Sequence, residues 1–311
     1  MTKSTRQPSN TPALVADGAE QTIIHPARAG WSFVKPNVIP GFGLTLGYTM
    51  VYLSLIVLIP LAALFIKSAT LPFDQIVKIA TAHRTLQALW VSFGSSLLAA
   101  IVNVVFGLIV AWVLVRYKFP GRRLMDAIVD LPFALPTAVA GIALSTIYAE
   151  KGWIGWFVGA NGPLHLGWKI AYTPSGIVIA LIFIGLPFVV RTVQPVLEEF
   201  EQELEEASAT LGANRLQTIT RVILPRLVPA ILTGFALAFA RAVGEYGSVI
   251  FIASNIPNKS EIAPLLIIIK LEEFDVAGAA VIATIMLVAA FLMLLVINLI
   301  QTWARRRYGD V

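Results

Sequence analysis

One pair of opposite charges lies inside a long apolar stretch of the sequence. Arg241 and Glu245 are four residues apart, so a helix places them one turn apart on the same face. Charged side chains in a bilayer are costly and usually face an interior cavity or pair with one another. Two interpretations stay open: the pair lines or gates a conduit, or it is an intramembrane ion pair that holds this helix against a neighbouring subunit.

A second candidate position combines a proline with a hydroxyl group. Pro136 and Thr137 lie in another apolar stretch, shortly after Pro132. Proline removes a backbone donor and can kink a helix, which frees carbonyl groups that need a partner or a water-lined cavity. At Pro132 a simple helix end is favoured over a bend in a conduit, whereas at Pro136 and Thr137 the two interpretations are equally open.

Residues that could support catalysis are sparse. The three histidines lie in separate segments without the spacing of a metal site, and the sequence contains no G-x-x-x-x-G-K-[ST] phosphate loop or G-x-S-x-G elbow. There is no cysteine, which excludes disulfides and thiolate chemistry. We therefore expect a non-enzymatic chain without a cofactor or metal of its own.

The amino-acid composition indicates whether the chain folds in water or in a membrane. Of the 311 residues, 57% are hydrophobic and 13% are charged, and the mean hydropathy is +0.80. Soluble domains have about 45–50% apolar and about 25% charged residues, so a water-soluble fold is excluded. Apolar stretches of about 20 residues predict an all-α polytopic membrane protein with six transmembrane helices. The predicted spans are residues 44–66, 89–115, 129–149, 170–190, 227–253 and 277–303.

Basic residues predict the orientation of the chain. Fifteen of the 23 Lys and Arg residues lie in the N-terminal tail, the loops after the second and fourth spans, and the C-terminus, whereas seven lie in the other loops. By the positive-inside rule, both termini are predicted to be cytoplasmic. The net charge of +5 is thus a topology signal, and no nucleic-acid binding is predicted. Residues 1–40 are polar, and we expect them to be a disordered cytoplasmic tail, with residues 41–311 forming the membrane domain.

The longest predicted loop between spans, residues 191–226, carries a distinctive spacing. An acidic stretch ends in Glu206-Ala207, Gly212 follows six residues after Glu206, and Leu224-Pro225 follow twelve and thirteen residues after Gly212. An acidic stretch alone is typical of a solvated surface helix. This spacing, however, resembles the EAA signature of ABC-importer permeases. Gly212 can end a helix, and Pro225 can begin the next one.

Further segments narrow the resemblance. From about residue 38 onward the chain resembles the CysT-type permeases of bacterial sulfate/thiosulfate ABC importers. Molybdate or tungstate permeases share the Gly244–Gly247 segment and the EAA loop and are the nearest alternative. A stand-alone secondary transporter would require inverted repeats and ion-coupling groups, and no clear repeat is present. The segments that carry the resemblance are residues 116–123, 130–141, 187–199 and 244–247.

The resemblance implies an architecture and a set of partners. The fold would be that of a type I ABC-importer permease in the bacterial cytoplasmic (inner) membrane. The chain would pair with a sister sulfate permease as a heterodimer, with two ATPase subunits that hold ATP and Mg²⁺, and with an extracytoplasmic sulfate/thiosulfate-binding protein. The residues implied to couple this chain to the ATPase are Glu206, Ala207, Gly212, Leu224 and Pro225.

Overall fold

The protein is predominantly helical in the part that the computed structural model describes, which comprises residues 42–160, 162–199 and 202–308. No strand occurs in these residues, and the predicted all-α class is confirmed. The predicted disordered tail, residues 1–40, lies outside the described residues. Two segments, Ser54–Leu58 and Ile219–Ile223, are π-helical. The α-helices are α1 (Phe42–Leu53), α2 (Ile59–Ser68), α3 (Phe73–Thr81), α4 (His83–Arg116), α5 (Arg122–Ala134), α6 (Thr137–Tyr148), α7 (Trp153–Val158), α8 (Pro174–Glu198), α9 (Gln202–Thr210), α10 (Arg215–Thr218), α11 (Leu224–Val243), α12 (Val249–Ile252), α13 (Ala263–Glu272) and α14 (Val276–Tyr308).

Five helical stretches of the described chain are long and apolar enough to cross a membrane, and one bent pair adds a sixth. The bent pair is Arg122–Ala134 with Thr137–Val158, whose axes differ by 116°. Counted as one broken span, it brings the total to six, which is consistent with the predicted number. The five others are Phe42–Ser68, His83–Arg116, Pro174–Glu198, Arg215–Val243 and Val276–Trp303.

The third predicted span, residues 129–149, is not one continuous helix. Helix α5 ends at Ala134, Leu135 is extended (φ −86°, ψ 134°), and α6 begins at Thr137. The cause is Pro136, because proline disfavours helical backbone at the preceding residue and has no N–H to donate. The expectation that Pro132 marks the helix end is wrong, since Pro132 lies inside α5.

The fifth predicted span, residues 227–253, is also interrupted. Helix α11 ends at Val243, and only the short helix α12 follows. The Glu245 carboxylate accepts a hydrogen bond from the Ser248 backbone N–H at 2.9 Å. A side chain that satisfies nearby backbone in this way competes with helix continuation. Arg241 therefore lies in the last turn of α11 and not in the middle of a span.

The core lies where α4, α8 and α11 pack together. Its fully buried side chains include Leu114, Val193 and Phe239, one from each helix. Close approach depends on glycine: a Cβ atom on Gly107 would lie 2.8 Å from the Val189 side chain, and one on Gly234 would lie 2.9 Å from the Val189 backbone. Small residues at helix contacts are the usual means of packing transmembrane helices tightly.

Candidate pathway and coupling sites

The Arg241–Glu245 ion pair is asymmetric in its exposure. Nη1 of Arg241 donates to Oε2 of Glu245 at 2.6 Å, and the two side chains are 36% and 3% exposed. The other carboxylate oxygen accepts from the backbone N–H and the hydroxyl of Ser248, at 2.9 and 3.0 Å. The buried carboxylate is thus fully used inside the chain. Among the described residues, only Nη1 of the guanidinium has a hydrogen-bond partner, and the Arg241 side chain is partly exposed.

The structure brings both predicted pathway segments together. Thr137 is the first residue of α6, and a Cβ atom on Gly247 would lie 2.3 Å from its hydroxyl. One turn later, a Cβ atom on Gly141 would lie 2.4 Å from the Ser248 carbonyl oxygen. The first turns of α6 therefore pack directly against the segment that follows Arg241. Pro136, at the N-cap position of α6, is exposed.

The N-terminal end of α6 contributes positive electrostatic potential to this site. The first N–H groups of a helix have no partner within the helix, and the helix dipole makes that end positive. The break at Leu135 places this positive end of α6 beside the segment that contains Glu245. Broken transmembrane helices commonly use such ends to face anionic groups. The site is therefore equipped with donors and positive charge.

The loop with the EAA-like spacing folds into two short helices. Glu206 and Ala207 lie exposed on α9, and Gly212 follows the helix with φ +81°. The Gly212 N–H donates to the Ala209 carbonyl and the Ala213 N–H to the Ser208 carbonyl, both at 3.0 Å, which is a Schellman helix end. The predicted loop 191–226 is shorter in the structure because α8 continues to Glu198. Leu224 and Pro225 form the first turn of α11 and are half-buried.

The loop is braced internally while its tip is open. The Ser208 and Thr218 hydroxyl groups form a buried 2.9 Å hydrogen bond between α9 and α10. At the tip, Leu211 and Leu216 are 88% and 69% exposed, and a Cβ atom on Gly212 would meet no atom within 4 Å. An apolar tip on a braced loop is suited to insertion into a partner protein.

Three ion pairs join the helices at this end of the protein. Arg116, the last residue of α4, pairs with Glu205 of α9 and lies over the Trp112 ring, 5.4 Å from its centroid. Arg191 of α8 bonds to Asp126 and Asp130 of α5, at 2.7 Å and 2.6 Å at the shortest. These contacts are absent from the sequence-based prediction, because the paired residues are 89, 65 and 61 positions apart.

The opposite end of the bundle carries its own contacts. The Arg84 guanidinium makes two hydrogen bonds, of 2.8 and 2.7 Å, to the buried carboxylate of Glu261.

A cavity of about 1070 Å³ is lined by Trp156, Trp168 and Lys169, among others. Lys169 pairs with Glu150 at 2.7 Å, and this hydrogen bond and charge raise the pKa of Lys169 above its ordinary value. No cluster of metal-ligating side chains occurs in the described part of the chain.

Comparison with known proteins identifies the relatives of this chain. The model of the family described as the inner membrane component of binding-protein-dependent transport systems matches residues 103–310. The sulfate transport system permease protein CysT of Synechococcus elongatus is 52% identical over 262 residues, covering 84% of this chain and 92% of that protein. The protein of the same name from Escherichia coli is 46% identical over 271 residues, covering 87% and 96%.

A solved structure supports the same assignment at the level of the fold. The crystal structure of a bacterial ABC transporter that imports the acidic polysaccharide alginate superimposes with a TM-score of 0.69. It covers 84% of this chain and 94% of that chain at 17% identity, which shows the fold alone. The predicted ABC-importer permease fold is thereby confirmed. The chain belongs to the family of binding-protein-dependent inner membrane transport permeases, as do its CysT relatives.

Proposed function

We propose that this chain is a permease subunit of an ATP-driven importer that carries sulfate and thiosulfate across the cytoplasmic membrane. The observation that carries the proposal is the 46–52% identity, over more than four fifths of the chain, to proteins named as sulfate transport system permeases. The site chemistry agrees with this substrate class. A divalent oxyanion that leaves water needs hydrogen-bond donors and positive charge, and both lie at Arg241 and at the start of α6.

The coupling loop is the proposed contact with the ATPase. Leu211 and Leu216 project from a loop whose two helices are joined by the buried hydrogen bond from Ser208 to Thr218. Force applied to this tip would pass to α4 through the ion pair of Arg116 with Glu205. In this proposal two ATPase subunits bind ATP and Mg²⁺ and carry out hydrolysis, and the present chain is not catalytic.

The remaining partners follow from the two ends of the bundle. The end that carries Arg116, Arg191 and the coupling loop is the proposed cytoplasmic end, with both chain termini on the same side. The extracytoplasmic binding protein would deliver its anion at the opposite end, where Trp156 and Trp168 line the large cavity. A sister permease would complete the conduit beside the partly exposed side chain of Arg241.

Uptake of radiolabelled sulfate by cells that lack this gene tests the proposal directly. We expect uptake to return on re-expression of the chain, to require ATP, and to be blocked by excess thiosulfate but only weakly by molybdate. Loss of molybdate accumulation in place of sulfate uptake would assign the chain to the molybdate or tungstate permeases of the same architecture. Uptake that continues without any co-purifying ATPase would instead favour a stand-alone secondary transporter.

A further inference from the structure

A tight basic turn joins α4 to α5. The Arg122 N–H donates to the Phe119 carbonyl at 3.3 Å, and Gly121 adopts φ +88°. With Pro120 before the glycine, this geometry is that of a type II turn. The turn brings Lys118 and Arg123 to the same cavity as Arg122, and the cavity measures about 330 Å³.

The positive charge of this turn is not neutralised within the described part of the protein. Lys118, Arg122 and Arg123 have no carboxylate within ion-pair distance there. The nearest acidic residue along the chain, Asp126, is already paired with Arg191 at 2.7 Å. Three unpaired cations around one cavity form a site for a group with several anionic oxygens.

An apolar groove begins next to the basic turn. It has a volume of about 290 Å³ and lies between the last turns of α4 and the first turn of α11 with the π-helical segment before it. All of its lining residues are aliphatic or aromatic. They include Ile109, Trp112 and Tyr117 on one side and Ile223 and Leu227 on the other.

The groove and the basic turn meet in adjacent residues, because Tyr117 lines the first and Lys118 lines the second. Both lie directly after Arg116, where a membrane span ends. An apolar groove beside the end of a membrane span that leads to a basic turn matches an amphiphile with an anionic head. We propose that the groove and the basic turn together bind one anionic phospholipid, with an acyl chain in the groove and the phosphate at the turn.

The choice of occupant rests on charge and continuity. A soluble phosphate or sulfate ion would use the three cations but would leave the groove unfilled. A helix of a sister subunit could fill the groove but would have to place carboxylates against Lys118 and Arg123. The phospholipid satisfies both features at once, and the inference is independent of which oxyanion the importer carries.

Native mass spectrometry of the purified complex with its ATPase can measure the bound lipid. Phosphatidylglycerol and phosphatidylcholine would be added separately at equal concentrations. We expect one tightly retained phosphatidylglycerol per copy of this chain and no comparable retention of phosphatidylcholine. In the variant Lys118→Gln/Arg122→Gln/Arg123→Gln, affinity for phosphatidylglycerol should fall about 10- to 100-fold, because each basic residue adds to the attraction of anionic lipid.

A matched variant removes the same charge elsewhere. Lys67, Lys151 and Lys259 are exposed and have no ion-pair partner in the described part of the chain, so their joint change to Gln should leave retention unchanged. Equal retention in the first variant and in wild type, or equal retention of both lipids, would overturn the proposal. So would full competition by soluble glycerol phosphate, which would show that the groove contributes nothing.

A photo-crosslinking residue in place of Ile109 gives an independent readout of the groove. Ile109 is exposed and lines the groove, so a benzoylphenylalanine there would react with whatever occupies it. The proposal requires an adduct of phospholipid mass that is lost in the triple Gln variant. An adduct with a second permease chain would assign the groove to a subunit interface and overturn the proposal.

Discussion

The guanidinium group of Arg191 holds the carboxylate of Asp130 at two points, with Nε donating to Oδ1 at 2.8 Å and Nη2 donating to Oδ2 at 2.6 Å. Asp126, one turn earlier, accepts from Nη1 of the same group at 2.7 Å. Helix α8 leads into the coupling loop, and α5 leads to the helix break at Leu135. Displacement of α8 must therefore move α5 with it or separate these charges.

A double-mutant cycle on this pair should show measurable coupling. We expect Asp130→Asn and Arg191→Gln each to lower the free energy of unfolding, by about 1 kcal/mol for these partly exposed groups. Asp130→Asn removes the two-point contact but leaves Arg191 paired with Asp126, whereas Arg191→Gln leaves both carboxylates without their cation. The double variant should lose less than the sum of the two, since the contact between Asp130 and Arg191 can be lost only once. Chemical unfolding of the purified complex in detergent measures all three variants.

The pair Lys169–Glu150 is the control for this cycle. It has a similar distance, 2.7 Å, but both of its side chains are more than two thirds exposed. Water screens such pairs, so the same cycle there should give no measurable coupling. Strictly additive losses at Asp130 and Arg191 would show that the two-point contact contributes nothing to stability.

Much of the fold was predictable from the sequence because membrane helices obey a simple length rule. The number of spans follows from apolar stretches of about 20 residues, and the helix end at Gly212 follows from the freedom of glycine at positive φ. The position of the helix break did not follow. Pro132 and Pro136 present the same local signal, yet the first lies within α5 and the second follows the helix end.

The charge pairs that connect the helices were not predictable. Arg84 and Glu261 are 177 residues apart, and nothing in the local sequence of either indicates the other. Arg241 and Glu245 were found because a spacing of four is itself a helical signal. The pair forms although Glu245 lies two residues past the end of α11. Sequence spacing therefore identifies pairs that are close along the chain, whereas pairs between helices require the packing.

Within this chain, substitutions at Gly212 should act through backbone strain alone. Its φ is +81° and a Cβ atom would meet no neighbour, so Gly212→Ala introduces no clash within this chain. An L-residue in this conformation destabilises the turn by about 1–2 kcal/mol. The conformational cost is smaller for asparagine and larger for a β-branched residue. We expect sulfate uptake and co-purification of the ATPase to fall in the order Asn, Ala, Val, with membrane insertion unchanged.

Gly94 provides the comparison for this series. It lies within α4, also has no neighbour near an added Cβ atom, and has an ordinary helical φ. Gly94→Ala should therefore leave uptake and ATPase association at the wild-type level, since alanine favours a helix. Normal uptake by Gly212→Val would count heavily against the role of this turn in coupling.

Asn103 limits the space for a side chain at Gly185. Asn103 is fully buried at the contact of α4 with α8, and neither atom of its amide has a hydrogen-bond partner in the described chain. A Cβ atom on Gly185 would lie 2.3 Å from Nδ2 of Asn103. We expect Gly185→Ala to lower the free energy of unfolding by about 1–3 kcal/mol through overpacking.

The same geometry predicts a suppressor. Asn103→Ala removes the atom that collides and also removes a buried amide without a partner, so Gly185→Ala/Asn103→Ala should regain most of the lost stability. Thermal unfolding of the complex gives the comparison. A double variant that is less stable than Gly185→Ala alone would mean that the collision is not with Asn103.

Arg241 and Glu245 allow the conduit and the structural interpretations to be separated. Either single change to Gln removes a charged partner and should cost stability, by about 1–3 kcal/mol for the group left behind. If Arg241 attracts the anion in transit, Glu245→Gln should retain uptake, because it keeps the cation and removes a repulsive carboxylate. Arg241→Gln and the double variant should then both lose uptake at all sulfate concentrations.

The structural interpretation predicts a different pattern for the same three variants. If the ion pair only holds α11 in place, Arg241→Gln and Glu245→Gln break it equally. Both single variants should then lose uptake together with stability. The double variant, which leaves no unpaired charge, should regain both. Because Glu245 is buried with two hydrogen bonds from Ser248 while Arg241 is partly exposed, we expect the first pattern. Uptake rate and unfolding midpoint measured on the same preparations decide between them.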